Sequence, residues 1–137
     1  MDEKLERTLT VVGRILLAAI FILSGVGKIT AWSGTAGMMA AKGLPAPQVL
    51  LALAIAFEIL GGLSVATGYR ARTGALMLIV FLILATLIFH NFWAYQGGER
   101  EMQMAHFLKN VAILGGLLIV VARGPGRPSV APSSFST

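Results

Sequence analysis

The sequence predicts an all-α fold in which four helices form a bundle across a membrane. Hydrophobic residues make up 56% of the 137 residues and charged residues only 12%, a balance far from that of a soluble globular domain. The apolar residues are collected into four long runs, and about 20 apolar residues in a helix are needed to cross a hydrocarbon core of roughly 30 Å. We therefore expect one membrane domain, residues 1–124, whose helices run up-down-up-down.

The first two apolar runs each contain charged residues. The first span is predicted at about residues 9–29, with Arg14 inside it and Lys28 near its end. The second span is predicted at about residues 49–67 and carries Glu58 near its middle. Two prolines precede the second span and a glycine follows it, an arrangement typical of a helix start and a helix end.

The last two runs differ in clarity. The third span, at about residues 73–93, is uncharged until His90. The fourth, at about residues 102–122, is uninterrupted only over residues 111–122, because polar residues occupy its first turns. An apolar run that short also fits a re-entrant or interfacial segment. Polar groups cost much less near a helix end than at its centre, so we predict that this segment spans the membrane too.

The distribution of basic residues predicts the orientation. Four spans put both ends of the chain on one side, together with seven lysines and arginines: Lys4, Arg7, Arg14, Arg70, Arg72, Arg123 and Arg127. The other side has four: Lys28, Lys42, Arg100 and Lys109. Cytoplasmic loops carry the excess of Lys and Arg, which places both termini in the cytoplasm. Residues 125–137 are rich in serine and proline and are predicted to form a disordered tail.

The composition excludes several classes of function. The net charge of +5 would suit a nucleic-acid-binding protein, but the basic residues are scattered singly between apolar runs. That pattern is typical of loops that contact anionic lipid headgroups, so the predicted contact is with the lipid bilayer and not with nucleic acid. The chain has no cysteine, so it carries no thiolate nucleophile and no cysteine ligand for an iron–sulfur cluster.

One short motif occurs twice. The sequence Ile-Leu-Gly-Gly-Leu is found at residues 59–63 in the second span and again at residues 113–117 in the fourth. Glycine pairs in membrane helices let neighbouring helices approach closely, so we expect close packing at both places. The recurrence also indicates that the first two spans are related to the last two as a parallel repeat.

Polar residues within the spans predict a cavity. Arg14 and Lys28 share one face of the first helix, and Glu58 lies on the glycine-bearing face of the second. Charged groups avoid lipid, so these faces should turn inward and line a polar cavity that opens outward, together with a polar face of the fourth helix. Six residues are candidates for ligand binding: Arg14, Lys28, Glu58, His106, Lys109 and Asn110.

These residues also have structural interpretations. Glu58 can be a ligand or proton site, or it can pair with Arg14, Lys28 or Lys109 as a structural lock. Arg14 and Lys28 lie near helix ends, where their side chains can instead reach toward lipid headgroups.

Metal binding has little support in the sequence. His90 and His106 lie at similar depth on neighbouring helices and are the candidate ligands for a haem or metal between helices. Histidines at the membrane interface are more often hydrogen-bonded surface residues, so no metal site is predicted. The chain also lacks the residues of a phosphate-binding loop and of a Ser-His-Asp triad.

Three further motifs stand out in order along the chain. They are Phe-Ile-Leu-Ser-Gly at residues 21–25, Phe-Glu-Ile-Leu-Gly-Gly at residues 57–62 and Phe-Leu-Lys-Asn at residues 107–110. In this order and spacing they resemble the DoxX family of small bacterial membrane proteins, over about residues 9–122. The resemblance implies a four-helix bundle in the bacterial cytoplasmic membrane. The polar positions that match the family are Arg14, Lys28, Glu58, Lys109 and Asn110.

The resemblance also directs the functional hypothesis. The family is named for its similarity to a subunit of thiosulfate:quinone oxidoreductase, which implies a link to redox chemistry. We therefore expect a membrane subunit or accessory of a redox system, with an outward-facing pocket for a quinone or a small anion. Lys109, His106 and Asn110 would bind the ligand oxygen, and Glu58 would move a proton or balance the charge.

Several parts of this hypothesis stay open. The catalytic residues are unknown, and so is the cofactor, for which a quinone is the candidate. A redox partner protein and a second copy of the chain are the candidate partners. The alternatives are a non-enzymatic membrane protein for binding or assembly, and a small transporter.

Overall fold

The protein is described by a computed structural model that covers residues 1–130. Over these residues the chain forms five α-helices and one short 3-10 helix, without strands: α1 Glu3–Thr30, α2 Trp32–Ala41, α3 Pro47–Thr67, α4 Ala71–Phe89, the 3-10 helix Phe92–Ala94 and α5 Gly97–Arg123. The predicted all-α fold is confirmed for this part of the chain. Residues 131–137, the end of the predicted disordered tail, lie outside the described residues.

Four apolar segments of the described chain are long enough to cross a membrane. They are α1, α3, α5 and a stretch made of α4 with the 3-10 helix, and they contain 28, 21, 27 and 24 residues. Each predicted span falls within one of them. The helices α1 and α5 extend beyond the predicted spans because both begin with polar turns, which lie outside the apolar runs.

The helix α2 was not predicted. A helix of ten residues is too short to span a membrane. Its residues are all small or apolar, so no charged side chain marks either end of the helix in the sequence. Ala36 and Met39 of this helix are buried against Leu51 and Ile55 of α3. The segment between α1 and α3 is therefore a helix packed on one end of the bundle.

The long helices pack in the order α1, α3, α4 and α5, while α1 and α5 touch only lightly. Their contacts bury a core that includes Ala18 and Phe21 of α1, Val65 of α3, Leu78 of α4 and Leu117 of α5. Large apolar side chains on the outer surfaces are exposed. This arrangement suits a lipid environment, because those side chains would be in contact with acyl chains and not with water.

The glycine pair of α3 allows close helix contacts, as predicted. A Cβ atom added to Gly61 would lie 2.8 Å from Leu78 and 3.0 Å from the carbonyl oxygen of Gly74 on α4. On Gly62 it would lie 2.7 Å from Ile22 of α1. The pair in α5 is different, since Gly116 approaches only Leu17, at 3.3 Å, and Gly115 faces open space.

The chain after α5 runs along the bundle. The guanidinium group of Arg14 donates to the carbonyl oxygen of Pro125 at 3.0 Å and to that of Pro128 at 2.6 Å. The backbone N–H of Val130 donates to the carbonyl oxygen of Thr67 at 2.9 Å. Residues 125–130 are therefore hydrogen-bonded to α1 and α3, although they form no helix.

Candidate functional site

A buried ion pair joins α1 to α3. The ammonium group of Lys28 lies 3.1 Å from Oε1 and 3.0 Å from Oε2 of Glu58, and it also donates to the hydroxyl of Ser24 at 2.6 Å. Glu58 is only 1% exposed. A carboxylate at this depth needs a counter-charge, and among the three candidate cations the structure places Lys28 beside it.

The ion pair leaves part of Glu58 unsatisfied. Oε1 accepts a hydrogen bond from Lys28, whereas Oε2 lies close to the ammonium group without a hydrogen bond of suitable geometry from any described residue. An ionised carboxylate oxygen has two lone pairs, so Oε2 can accept a further donor. That oxygen is the buried side-chain acceptor of this ion pair that lacks a hydrogen-bond partner among residues 1–130.

Glu58 lines a cavity of about 390 Å³. We call it the polar cavity, because polar side chains contribute to its lining. The cavity lies at the end of the bundle that carries α2 and is enclosed by the C-terminal parts of α1 and α4, the N-terminal parts of α3 and α5, and α2. Its size is within the usual range of small-molecule sites. Its polar lining consists of Ser24, Lys28, Thr35, Lys42, Glu58, His90, Tyr95, Gln103, Lys109 and Asn110.

The charge of this lining is positive. Three lysines, Lys28, Lys42 and Lys109, share the cavity with one carboxylate, Glu58. Lys28 is neutralised by Glu58, and the other two lysines form no ion pair with any residue among 1–130. The cavity can therefore receive an anion or a neutral group with electron-rich oxygen atoms.

Asn110 is held in place by hydrogen bonds. Its side-chain N–H donates to the hydroxyl of Thr86 at 2.9 Å, and this hydroxyl donates to the carbonyl oxygen of Leu82 at 2.6 Å. Asn110 and Thr86 are both buried. A fixed amide of this kind presents its remaining N–H in a defined direction, which is useful for orienting a ligand.

Two side chains that line the cavity, Lys42 and Tyr95, contact each other. Lys42, just after α2, donates to the hydroxyl of Tyr95 at 3.2 Å, and its ammonium group lies 5.6 Å from the centre of the Tyr95 ring. Tyr95 lies between the 3-10 helix and α5. This contact links the end of α2 to the segment before α5.

The two histidines stack on each other. The rings of His90 and His106 lie 4.9 Å apart with an angle of 29° between their planes, and Nδ1 of His90 is 2.8 Å from Oε1 of Gln103. Over residues 1–130 no group of three or more His, Cys, Asp or Glu side chains is arranged to hold a metal ion. His90 lines the cavity, whereas His106 does not.

Four of the six candidate residues come together. Lys28, Glu58, Lys109 and Asn110 line the same cavity. Arg14 lies at the other end of the bundle, where it binds the carbonyl groups of Pro125 and Pro128. Sequence reasoning missed five polar lining residues: Ser24, Thr35, Lys42, Tyr95 and Gln103. Ser24 could have been found, since it lies one helical turn before Lys28 on the same face.

Comparison with known proteins identifies the family. The DoxX family model matches residues 9–91, more than half of the chain. The chain belongs to the DoxX family. This DoxX protein is 39% identical to the inner membrane protein YqjF of Escherichia coli, over 93% of each chain. It is 30% identical to the inner membrane protein YphA of the same organism, over 89% of this chain and 87% of YphA.

A more distant relative is eukaryotic. The ER-derived vesicles protein ERV29 of Saccharomyces cerevisiae is 26% identical over 94% of this DoxX chain, which corresponds to 34% of ERV29. No solved structure gives a significant match. The similarity to YqjF and YphA, together with the four apolar helices of residues 1–130, makes this chain a multi-pass protein of the bacterial inner membrane.

Proposed function

We propose that this DoxX protein is a membrane subunit or accessory of a redox system and that its polar cavity binds a quinone. The observation that carries the proposal is the set of groups around Glu58. A buried carboxylate, its partner Lys28, the fixed amide of Asn110 and the unpaired Lys109 line one cavity of about 390 Å³. A small anion is the second ligand that this charge distribution would accept.

The cavity offers the groups that quinone chemistry requires. Lys109 and the free N–H of Asn110 can donate to a quinone oxygen, and such hydrogen bonds are strongest when the donor is charged. When a hydroquinone is oxidised, its protons leave with the electrons. Glu58 is a proton acceptor within the cavity, with Lys28 to balance its charge, and the electrons would pass to a redox partner protein.

We also propose that the cavity opens to the outer side of the membrane. The contacts of α1 with α3 pair Gly25 with Ile59 and Ile22 with Gly62, as expected for helices that alternate in direction. The excess of lysine and arginine near the ends of the chain supports a cytoplasmic position for both termini. The cavity lies at the opposite end of the bundle, so a ligand would enter from the outer leaflet or the periplasm.

A non-enzymatic role is the second candidate function. The ammonium group of Lys28 donates to Ser24 and to Oε1 of Glu58 and lies 3.0 Å from Oε2, so it is directed at the protein itself. This favours the ion pair as a lock between α1 and α3 in a binding or assembly protein. In that case a partner, either another protein or a second copy of the chain, would bind the bundle independently of Lys109.

Quinone binding can be measured with the full-length protein in lipid nanodiscs. The probe is a water-soluble benzoquinone without a prenyl chain, titrated by calorimetry. We expect Lys109→Met to weaken binding about tenfold, because a hydrogen bond from a charged donor is lost. Arg100→Met is the matched control, since Arg100 is also a cation of α5 but does not line the cavity.

The same titration distinguishes the alternatives. Binding of sulfate in place of the quinone would assign the cavity to small anions. If the folded protein bound neither probe, the proposal of a redox ligand in this cavity would be wrong, and the non-enzymatic role would be preferred.

A further inference from the structure

A second cavity of about 340 Å³ lies beside the first, between α3 and α4. All of its lining side chains are apolar, in contrast to the polar cavity. Leu53, Val80 and Leu84 lie on its outer side and are 52%, 52% and 55% exposed. The cavity is therefore a groove that is open to the acyl chains of the membrane, and we call it the apolar groove.

The apolar groove and the polar cavity share a wall. Five residues line both: Met39, Ala54, Phe81, Ala85 and Phe89. Ala54 of α3 and Ala85 of α4 have the smallest side chains of this wall, so little material separates the two spaces there. Met39 has three rotatable side-chain bonds and adapts readily to a neighbouring group.

The position of the polar cavity limits what can occupy both spaces. Glu58 is the twelfth residue of α3, which puts it roughly 16–17 Å along a helix that rises 1.5 Å per residue. A quinone ring is neutral, so it can lie beside Glu58 at that depth without the cost of burying another charge. A small inorganic anion would fit the polar cavity but would leave the groove without an occupant.

We propose that the apolar groove holds the prenyl tail of the quinone whose ring occupies the polar cavity. The inference rests on the proposed function and narrows its substrate class to membrane-resident prenylquinones. The ring contacts Lys109 and Asn110, and the tail passes between Ala54 and Ala85 toward Leu84 and the lipid. The ligand thus reaches the polar cavity sideways from the bilayer.

A photoreactive prenylquinone tests this placement. The probe carries a diazirine at the end of its tail and is incorporated into nanodiscs with the full-length protein, and labelled peptides are identified by mass spectrometry. We expect labelling of the groove residues on α3 and α4, and loss of this labelling when an excess of the tailless benzoquinone competes for the polar cavity.

Two variants of α4 form a matched pair. Leu84→Trp fills the groove and should abolish the labelling while the tailless quinone still binds. Leu76→Trp changes an equally exposed leucine of the same helix, 51% against 55%, that does not line the groove, and it should keep the labelling. Val80→Trp serves in place of Leu84→Trp if the latter does not fold.

The outcomes separate the two proposals. If the tailless quinone binds but label appears evenly over the lipid-facing residues of all helices, the tail site is wrong and the proposed function stands. Groove labelling by a diazirine phospholipid that the tailless quinone does not displace would assign the groove to lipid and overturn the inference. If the tailless quinone does not bind the folded protein, the proposed function itself fails.

Discussion

Arg14 and Glu58 are both charged and both buried, yet they are paired with different kinds of group. Glu58 has a counter-charge in Lys28 on the neighbouring helix. Arg14 instead donates to two backbone carbonyl groups of the segment that follows α5. The ion pair of Glu58 lies in the wall of the polar cavity. The hydrogen bonds of Arg14 connect α1 to the segment that follows α5.

The ion pair should be important for stability. In Lys28→Met the carboxylate of Glu58 stays buried without a partner, and we expect a loss of about 3 kcal/mol in the free energy of unfolding, the lower end of the usual range because Lys28 is partly exposed. The double variant Lys28→Met with Glu58→Gln removes both charges and should recover most of this loss. Denaturant titration in detergent micelles measures the free energy of unfolding of the wild type, the single variant and the double variant.

Lys42→Met is the control for this cycle. Lys42 lines the same cavity but is exposed and forms no ion pair with the described residues. Its loss removes only the exposed contact with Tyr95 and should lower stability by about 1 kcal/mol or less. Equal destabilisation by the single and double variants would show that the pairing of the two charges does not account for the loss of stability.

Arg14 should hold the segment after α5. In Arg14→Lys the charge is kept, but an ammonium group lacks the planar fork with which the guanidinium reaches two carbonyl groups. We expect faster cleavage by trypsin at the Arg123–Gly124 bond, directly before this segment, while the bundle itself stays folded. Arg7→Lys is the control, since Arg7 pairs only with Glu3 on the surface of α1. Unchanged cleavage in Arg14→Lys would contradict a holding role.

The residues around Glu58 could be predicted only in part. Sequence patterns identified Glu58 as the deep acid and three cations as its candidate partners. Choosing among them requires the rotation and tilt of each helix, which depend on how the side chains pack. Lys42 and Tyr95 were missed because they lie in connecting segments, where no helical periodicity relates them to the spans.

Among the helices, α3 makes the most extensive contacts with its neighbours. It packs against α1 through Gly62, against α4 through Gly61 and against α2 through Leu51. The repeated glycine motif predicted close approach at both α3 and α5, but α5 packs chiefly on α4 and leaves Gly115 open. The motif alone does not indicate whether a neighbouring helix is present on that side.

The two glycine motifs allow a direct comparison between helices. In Gly61→Ala the new methyl group would lie 2.8 Å from Leu78, so we expect a loss of about 1–3 kcal/mol in stability through overpacking. Gly115→Ala changes the equivalent position of α5, where nothing lies within 4 Å, and should have little effect on the monomer. Thermal unfolding in detergent compares the two.

A different result at Gly115 would be informative. If Gly115→Ala destabilised the protein as much as Gly61→Ala, a helix outside the described chain would have to pack against α5, as in a homo-oligomer. Cross-linking before and after the substitution would then reveal whether a second copy had been lost.

For the molecule as a whole, the sequence predicted the fold class and the four spans more reliably than the site. Long apolar runs have one stable conformation in lipid, because the backbone groups must bond to each other within the helix. The short helix α2 escaped prediction because its ten residues are too few for that argument. Part of the lining of the polar cavity comes from α2 and from the connecting segments that contain Lys42 and Tyr95. The full lining could therefore not be predicted from the spans.

The proposed orientation is open to a simple labelling experiment. The chain has no cysteine, so each introduced cysteine is the only thiol. We expect a membrane-impermeant maleimide to label Glu101→Cys in intact cells, and to label Tyr69→Cys only after permeabilisation. Both residues are exposed, so access depends on the side of the membrane and not on burial. The reverse pattern would contradict the placement of both termini in the cytoplasm.

The hydrogen bonds of Arg14 have a practical consequence for protein engineering. A truncation or an affinity tag that replaced the chain directly after Gly124 would remove both carbonyl acceptors and leave a buried guanidinium group without them. A junction placed after Val130 would spare these acceptors and the bond to Thr67. Expression trials that shorten this protein should therefore keep residues 125–130, even though they contribute no helix.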